Sequence, residues 1–265
     1  MWRIRTMSGE SALSAYRAGN RAEIVGYGLY LRDLGILAIA DLHIGYEEAL
    51  GESGIHVPVS QYPKMKRAIE RMIDAAEPEK VVIVGDVKHE FGAALRQEWV
   101  EVVDLLDYLR ERVGEVVVVR GNHDNFLVPM LKKRGVPLAD PGYLDGGVLF
   151  VHGHKPLPLE AYGEGVEIVV MGHEHPAVAL RDELGVKVKF KCFLRGRLEG
   201  RDIYVLPALS PLMPGTELNV VRKWEVLSPV LREADLDAFE VYVSDLEAGV
   251  YYFGELSHLR AFGTP

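Results

Sequence analysis

The chain has 265 residues, 48% hydrophobic and 26% charged, with a mean hydropathy of +0.04. That balance excludes a long disordered chain, and no run reaches the roughly 18 apolar residues of a membrane helix. Thirty basic against 39 acidic side chains leave a net charge of −9, which excludes a protein that coats nucleic acid by overall charge and leaves only a local basic patch.

Residues 1–10 lack the apolar run of a secretory signal. Ala22–Leu31 and Ile36–Ala40 read as a hairpin whose second strand is apolar on both faces and stops at Asp41. Gln61–Ala76 predicts a helix. Met65, Ala68, Ile69, Met72, Ile73 and Ala76 recur at three- and four-residue intervals, and Pro78 closes it. Val81–Val84 is a second buried strand, ending at Gly85-Asp86. A helix follows from about Ala93 to Arg112, with Leu95, Trp99, Val102, Val103, Leu106 and Leu109 turned inward. Val116–Val119 is a third strand and runs into Arg120-Gly-Asn-His-Asp124. This alternation predicts parallel strands, with polar clusters at the C-terminal ends where open α/β sheets bind ligands.

Beyond Asp124, Asn125–Arg134 reads as a short helix despite Pro129. Val148–Val151 ends in His152-Gly-His154, and Glu167–Met171 ends in Gly172-His-Glu-His175. Strands within Val186–Leu194 and Ile203–Leu206 predict a second, more antiparallel sheet fused to the first. Val241–Val243 and Val250–Phe253 read as edge strands. The chain reads as one domain, 1–265, with a core of about 22–220 and a tail, 221–265, to which no chemistry is assigned. The single cysteine, Cys192, rules out an internal disulfide and a thiolate zinc cluster, and it suits a reducing, cytoplasmic setting. Sparse Gln and Asn beside abundant Glu, Lys and Arg give a thermophile-like composition.

All histidines but His56 and His258 fall just past a predicted strand. Asp41-Leu-His43 sets a carboxylate and an imidazole at i and i+2, on one side of a strand end, where they can grip one ion. A helix cap beside a surface histidine explains that pair equally well. Asp86 alone reads as a cap or turn residue. Asn122 beside His123 and Asp124 is a stronger signal. His152-Gly-His154 and His173-Glu-His175 each put two imidazoles on one side. Five such clusters at five strand ends supply more N and O donors than one ion needs. That mixture suits Mn²⁺, Fe or Zn²⁺ better than Mg²⁺ or Ca²⁺, and it points to two ions roughly 3.5–4 Å apart.

The order Asp-x-His, Gly-Asp, Gly-Asn-His-Asp, His-Gly-His, Gly-His-x-His, from about Ile36 to His175, resembles the calcineurin-like metallophosphoesterase superfamily. Asp41-Leu-His-Ile-Gly-Tyr-Glu-Glu48 and Leu206-Pro-Ala-Leu-Ser-Pro-Leu212 are similar to segments of the archaeal phosphoesterases related to the SbcD/Mre11 nucleases. The resemblance implies an α/β fold, a four-layer αββα sandwich of two mixed sheets flanked by helices, with a dinuclear metal site at strand C-terminal ends. It implies two divalent ions, Mn²⁺ foremost, with Fe, Zn²⁺ and Ni²⁺ as alternatives. Asp41, His43 and His175 would hold one, Asn122, His152 and His173 the other, and Asp86 would bridge them. His123 would protonate the leaving oxygen, oriented by Asp124. His89 stands where many members carry Asp or Asn and would contact the substrate phosphate. His154 would hydrogen-bond a ligand or serve the fold.

Lys187, Lys189 and Lys191 share one strand face, and with Arg195, Arg197 and Arg201 they make a basic ribbon. An edge strand guarded by lysines explains it slightly better than a phosphate-steering patch. The −9 charge, the short C-terminal region and the lack of an aromatic-plus-basic stacking platform weigh against a DNA nuclease. The expectation is a metal-dependent phosphodiesterase acting on a small phosphodiester or nucleotide. Nucleic acid, as single strands or ends cut by a Mre11/SbcD-like nuclease, is the alternative. A noncatalytic scaffold of the same fold ranks lower, because every ligand position is intact. No membrane partner is expected, and the oligomeric state is open, a homodimer included.

Overall fold

The structure, a computed structural model, describes residues 13–57, 60–91, 96–181 and 184–263. The first sheet takes its strands in chain order: β1 (Tyr16–Arg17), β2 (Ala22–Val25), β3 (Gly28–Leu31), β4 (Ile36–Ile39), β5 (Lys80–Val84), β6 (Glu115–Val119) and β7 (Leu138–Ala139). It is antiparallel as far as β4 and parallel from β4 to β7. The helices between these strands are α1 (Tyr46–Glu52), α2 (Tyr62–Ala76), α3 (Arg96–Arg112) and α4 (Val128–Arg134).

The second sheet contains β8 (Gly142–Asp145), β9 (Val148–Val151), β10 (Ile168–Met171), β11 (Pro176–Arg181), β12 (Lys187–Leu198), β13 (Arg201–Val205) and β14 (Thr216–Glu217). Their spatial order is β14-β11-β12-β13-β10-β9-β8. After α5 (Pro229–Glu233) the chain adds β15 (Glu240–Asp245) beside β12, then β16 (Gly249–Glu255) and α6 (Leu256–Gly263). This sheet is mixed and, as expected, more antiparallel than the first. β9 and β10 run parallel because the 152–167 connection is long enough to cross over, and β13 runs parallel to β10 after the chain has passed through β11 and β12.

Strand alternation explains the layers. In β4, Leu37 and Ile39 face one way and meet Met65, Ile69 and Met72 of α2; Ile36 and Ala38 face the other and meet Phe150, Val170 and Phe193 of the second sheet. β5 and β6 divide their valines in the same manner. Strands buried on both faces must be apolar along their buried length, as β4 is throughout and β5 and β6 are after Lys80 and Glu115. The outer face of the second sheet, with Val169, Met171, Cys192 and Leu194, is covered by Val230, Leu231, Leu256 and Leu259. Helices, two sheets and a C-terminal layer therefore stack as αββα. No helix among the described residues is long and apolar enough to cross a membrane.

Three expectations need correction. First, α3 is described from Arg96, and Leu95 lies outside the described residues; the inward residues are Glu98, Val102, Leu105, Leu106 and Leu109, while Trp99 is exposed and Val103 half-buried. The rotation has a polar cause: the buried Glu98 carboxylate accepts the backbone N–H groups of His89 (3.0 Å) and Glu90 (2.7 Å). Second, β15 is not an edge strand, since it pairs with both β12 and β16. The tail thus completes the fourth layer. Third, β12 is no edge strand either, as it lies between β11 and β13. Its basic ribbon is largely neutralised by acids on neighbouring segments. Lys187 and Lys189 pair with Glu217, Arg195 with Asp202 and Glu240, and Arg197 with Asp202.

Candidate metal centre

The C-terminal ends of β4, β5, β6, β9 and β10 meet at one edge of the two facing sheets. Backbone bonds extend the parallel ladder past the strands: Asp41 donates to Gly85, His43 to Asp86, and Ile44 to Val87. The chain turns sharply there. Among the described residues seven non-glycine positions have positive φ, and five of them are Asp41 (56°), His43 (45°), Asp86 (50°), His173 (69°) and His175 (50°). Left-handed conformations at such residues cost on the order of 1–3 kcal/mol each and cluster at functional sites. Gly85, with φ 82°, also makes room: a Cβ there would collide with the His152 ring.

The side chains converge. Asp41 Oδ1 lies 3.3 Å from His175 Nε2, and His175 Nε2 lies 3.4 Å from His43 Nε2. Asp86 Oδ2 is 3.2 Å from His152 Nε2 and 3.7 Å from His43 Nε2. Asn122 Oδ1 is 3.1 Å from His152 Nε2. The ligand atoms of Asp41, His43 and His175 lie within 4.8 Å of one another, as do those of Asp86, His152 and His173. His43, His89 and His123 form a third such group.

A cation fits this donor set. Asp41 Oδ1 is buried and has no hydrogen-bond partner. His152 Nδ1 donates to the Val84 carbonyl at 3.0 Å, which turns Nε2 toward Asp86 and Asn122, where a cation would take the place of its proton. Burial pushes His43 down to about 3 and His173 to about 4, keeping them neutral as ligation requires. Burial would also lower His152, but the Asp86 charge outweighs it and holds that imidazole up at about 9. Burial raises Asp41 and Asp86, yet the facing histidines, His175 and His152 foremost, bring both below the usual carboxylate range.

A sequence model of the calcineurin-like phosphoesterases matches residues 34–177, just over half of the chain. The chain belongs to that family. Among solved structures it is similar to the nuclease MPE of Pseudomonas putida, at 19% identity over 91% of this chain and 100% of that one, with a TM-score of 0.63. It also matches the phosphoesterase Yfce from E. coli (18% identity, 83% and 98% of the two chains, TM-score 0.39). Vps29 from Entamoeba histolytica, complexed with Zn²⁺, matches at 15% identity over 82% and 96%, with a TM-score of 0.36. At 19% identity the first of these shows a shared fold alone, and the other two add nothing to it.

Within this calcineurin-like phosphoesterase, all seven expected ligands, Asp41, His43, Asp86, Asn122, His152, His173 and His175, reach one locus, and His89 and His123 stand beside it. The expectation that Asp124 orients His123 is not met. The buried Asp124 carboxylate accepts three backbone N–H groups instead, from Gly121 (2.9 Å), Asp86 (2.8 Å) and Val87 (3.0 Å). Burial and the nearby Asp86 raise it to about 6. Its work is to tie the Asp86 turn to the Asn122 turn. His123 Nδ1 donates to the His89 carbonyl, so its Nε2 faces Asp86 Oδ2 at 3.8 Å. His154 stacks at a tilt against His152 with ring centroids 5.2 Å apart, and burial pushes it down to about 4.

Four supporting groups escaped the sequence reading. Glu174, the residue inside His-x-His, is fully buried and accepts the N–H groups of Leu227 (3.2 Å) and Ser228 (2.8 Å). Ser228 Oγ donates to the Gly153 carbonyl at 2.7 Å. Lys191 Nζ donates to the carbonyls of Ala208 (2.7 Å) and Ser210 (2.6 Å), while Ser210 N–H reaches back to the Asp41 carbonyl. Burial lowers that lysine to about 8. Phe91 covers one face of His123, so the site does carry aromatic surface. For Glu174 and Phe91 the only sequence signal was a position one or two residues from a ligand or from His89; Lys191 was visible only as part of the basic ribbon, and Ser228 carried no signal.

Proposed function

We propose that this chain is a metal-dependent phosphodiesterase acting on small phosphodiesters in a reducing, cytoplasmic compartment. The observation that carries this reading is the seat of Asp86 Oδ2, within 3.7 Å of ligand atoms of both histidine groups. Two divalent cations, with Mn²⁺ favoured by the mixed N and O donors, would supply an acidified water and neutralise the phosphate oxygens when held by Asp41, His43 and His175, by Asn122, His152 and His173, and by Asp86 between them.

The protein's own part is orientation and proton transfer. The His89 carbonyl fixes the His123 tautomer and turns Nε2 inward. As a water oxygen bonds to phosphorus and the far P–O bond breaks, His123 Nε2 gives its proton to the leaving oxygen. Asp124 holds the backbone around this acid, and Glu98 holds the His89 segment from the helix side. His89, half-buried beside His123, would contact a phosphate oxygen.

Hydrolysis of bis(p-nitrophenyl) phosphate and of p-nitrophenyl phosphate, with Mn²⁺ and then with EDTA, tests this. Diester turnover that EDTA abolishes is expected. Absence of turnover with every divalent metal would favour a scaffold, and dominance of the monoester would reassign the reaction. The presence of His89 in the cluster favours one second reading, a nuclease of the SbcD/Mre11 kind. Nicking of plasmid DNA at physiological salt would decide for it.

A further inference from the structure

Four rings line one wall of the centre as a ladder. Phe91 and His123 stack with centroids 3.8 Å apart at 29°. His123 and His89 follow at 5.4 Å and 30°, and His89 and Tyr46 at 4.0 Å and 27°. Phe91 is the outer rung, at 55% exposure, with one face on the proposed acid. Shielding His123 would by itself explain one face of that ring. It leaves the rest of a large apolar surface in water, beside the atom that meets the leaving group.

We propose that the exposed face of Phe91 is a stacking platform for a nucleobase carried on the leaving oxygen, which makes the substrate class a nucleotide phosphodiester. The inference rests on the phosphodiesterase reading and names its substrate. Contact between the Phe91 and His123 rings puts platform and proton donor within one nucleoside of each other. Every base offers a π face, so stacking recognises nucleosides without reading sequence. The basic ribbon is not free to serve as a phosphate track, because Lys187, Lys189 and Arg197 are already paired. With a net charge of −9, the chain therefore suits dinucleotides and short strands better than a duplex. The reaction balances as a hydrolysis. Water adds to phosphorus, the P–O bond to the nucleoside breaks, and the proton leaving the water replaces the one His123 delivers.

The test compares thymidylyl-thymidine with its analogue lacking the base on the leaving sugar, both with Mn²⁺. Wild-type protein is expected to favour the full dinucleotide in kcat/KM by about tenfold, within the range that base–aromatic stacking contributes. Phe91→Ala should bring the ratio near one, and Phe91→Trp should keep it. A wild-type ratio near one, or a ratio that survives Phe91→Ala, overturns the platform and leaves the phosphodiesterase standing. Failure of both diesters with every divalent metal removes the phosphodiesterase itself.

Discussion

Asp86 shows how one side chain here serves several neighbours. Its Oδ1 accepts the His123 backbone N–H at 3.0 Å, while Oδ2 faces His43, His152 and His123. Its backbone N–H is held in turn by Asp124. His123 stands apart from the other histidines, since one ring nitrogen is committed to a carbonyl and the other faces the cluster. His123→Ala is therefore expected to retain Mn²⁺ binding in calorimetry while diester turnover falls by about 10²–10⁴-fold, the usual contribution of a positioned acid. An unchanged rate would remove His123 from that role, and lost metal binding would make it a ligand. The candidate ligands were legible in the sequence because they fall just past apolar runs, Asp41 and His43 as an Asp-x-His pair and the others next to a glycine or an acid. Their left-handed backbone was not legible, since φ at Asp41 or His175 is imposed by bonds to other loops. The role of Asp124 was misjudged for a similar reason: its three donors include Asp86 and Val87, far away in the chain.

At the scale of elements, the loops that carry the ligands are held by segments that carry none. Glu174 fastens the β10 loop to residues 227–228, and Ser228 fastens those residues to the β9 loop at Gly153. The pair thus sets the spacing between His152 and the two histidines that flank Glu174. Ser228→Ala and Glu174→Gln are expected to lower Mn²⁺ affinity by about 10–100-fold, as loss of groups supporting metal ligands commonly does. Far-ultraviolet circular dichroism should stay unchanged, and Ser228→Thr should restore part of the affinity. Wild-type affinity in both variants would show that the clip is only structural. Helical periodicity could not reveal that α3 turns Glu98 inward, because a pattern count scores apolar residues and Trp99 misled it. The β-strands were easier, since β4 is apolar throughout and β5 and β6 are apolar after their first residue, as burial on both faces demands.

For the molecule as a whole, the two sheets meet along Ile36, Ala38, Val82, Val117, Phe150, Val170 and Phe193, and the centre sits at the edge of that seam. The layered α/β plan could be read from the order of apolar runs. The seating of residues 221–265 could not, because their contacts with the second sheet join positions far apart in the chain. The direct bonds from this last segment to the ligand loops have a thermodynamic corollary. Any free energy by which cation loading tightens the loops is returned, by reciprocity, to the C-terminal layer. Chelation should therefore speed amide hydrogen exchange around Leu227–Leu231, remote in chain order from every ligand, while amides in β5 keep their protection.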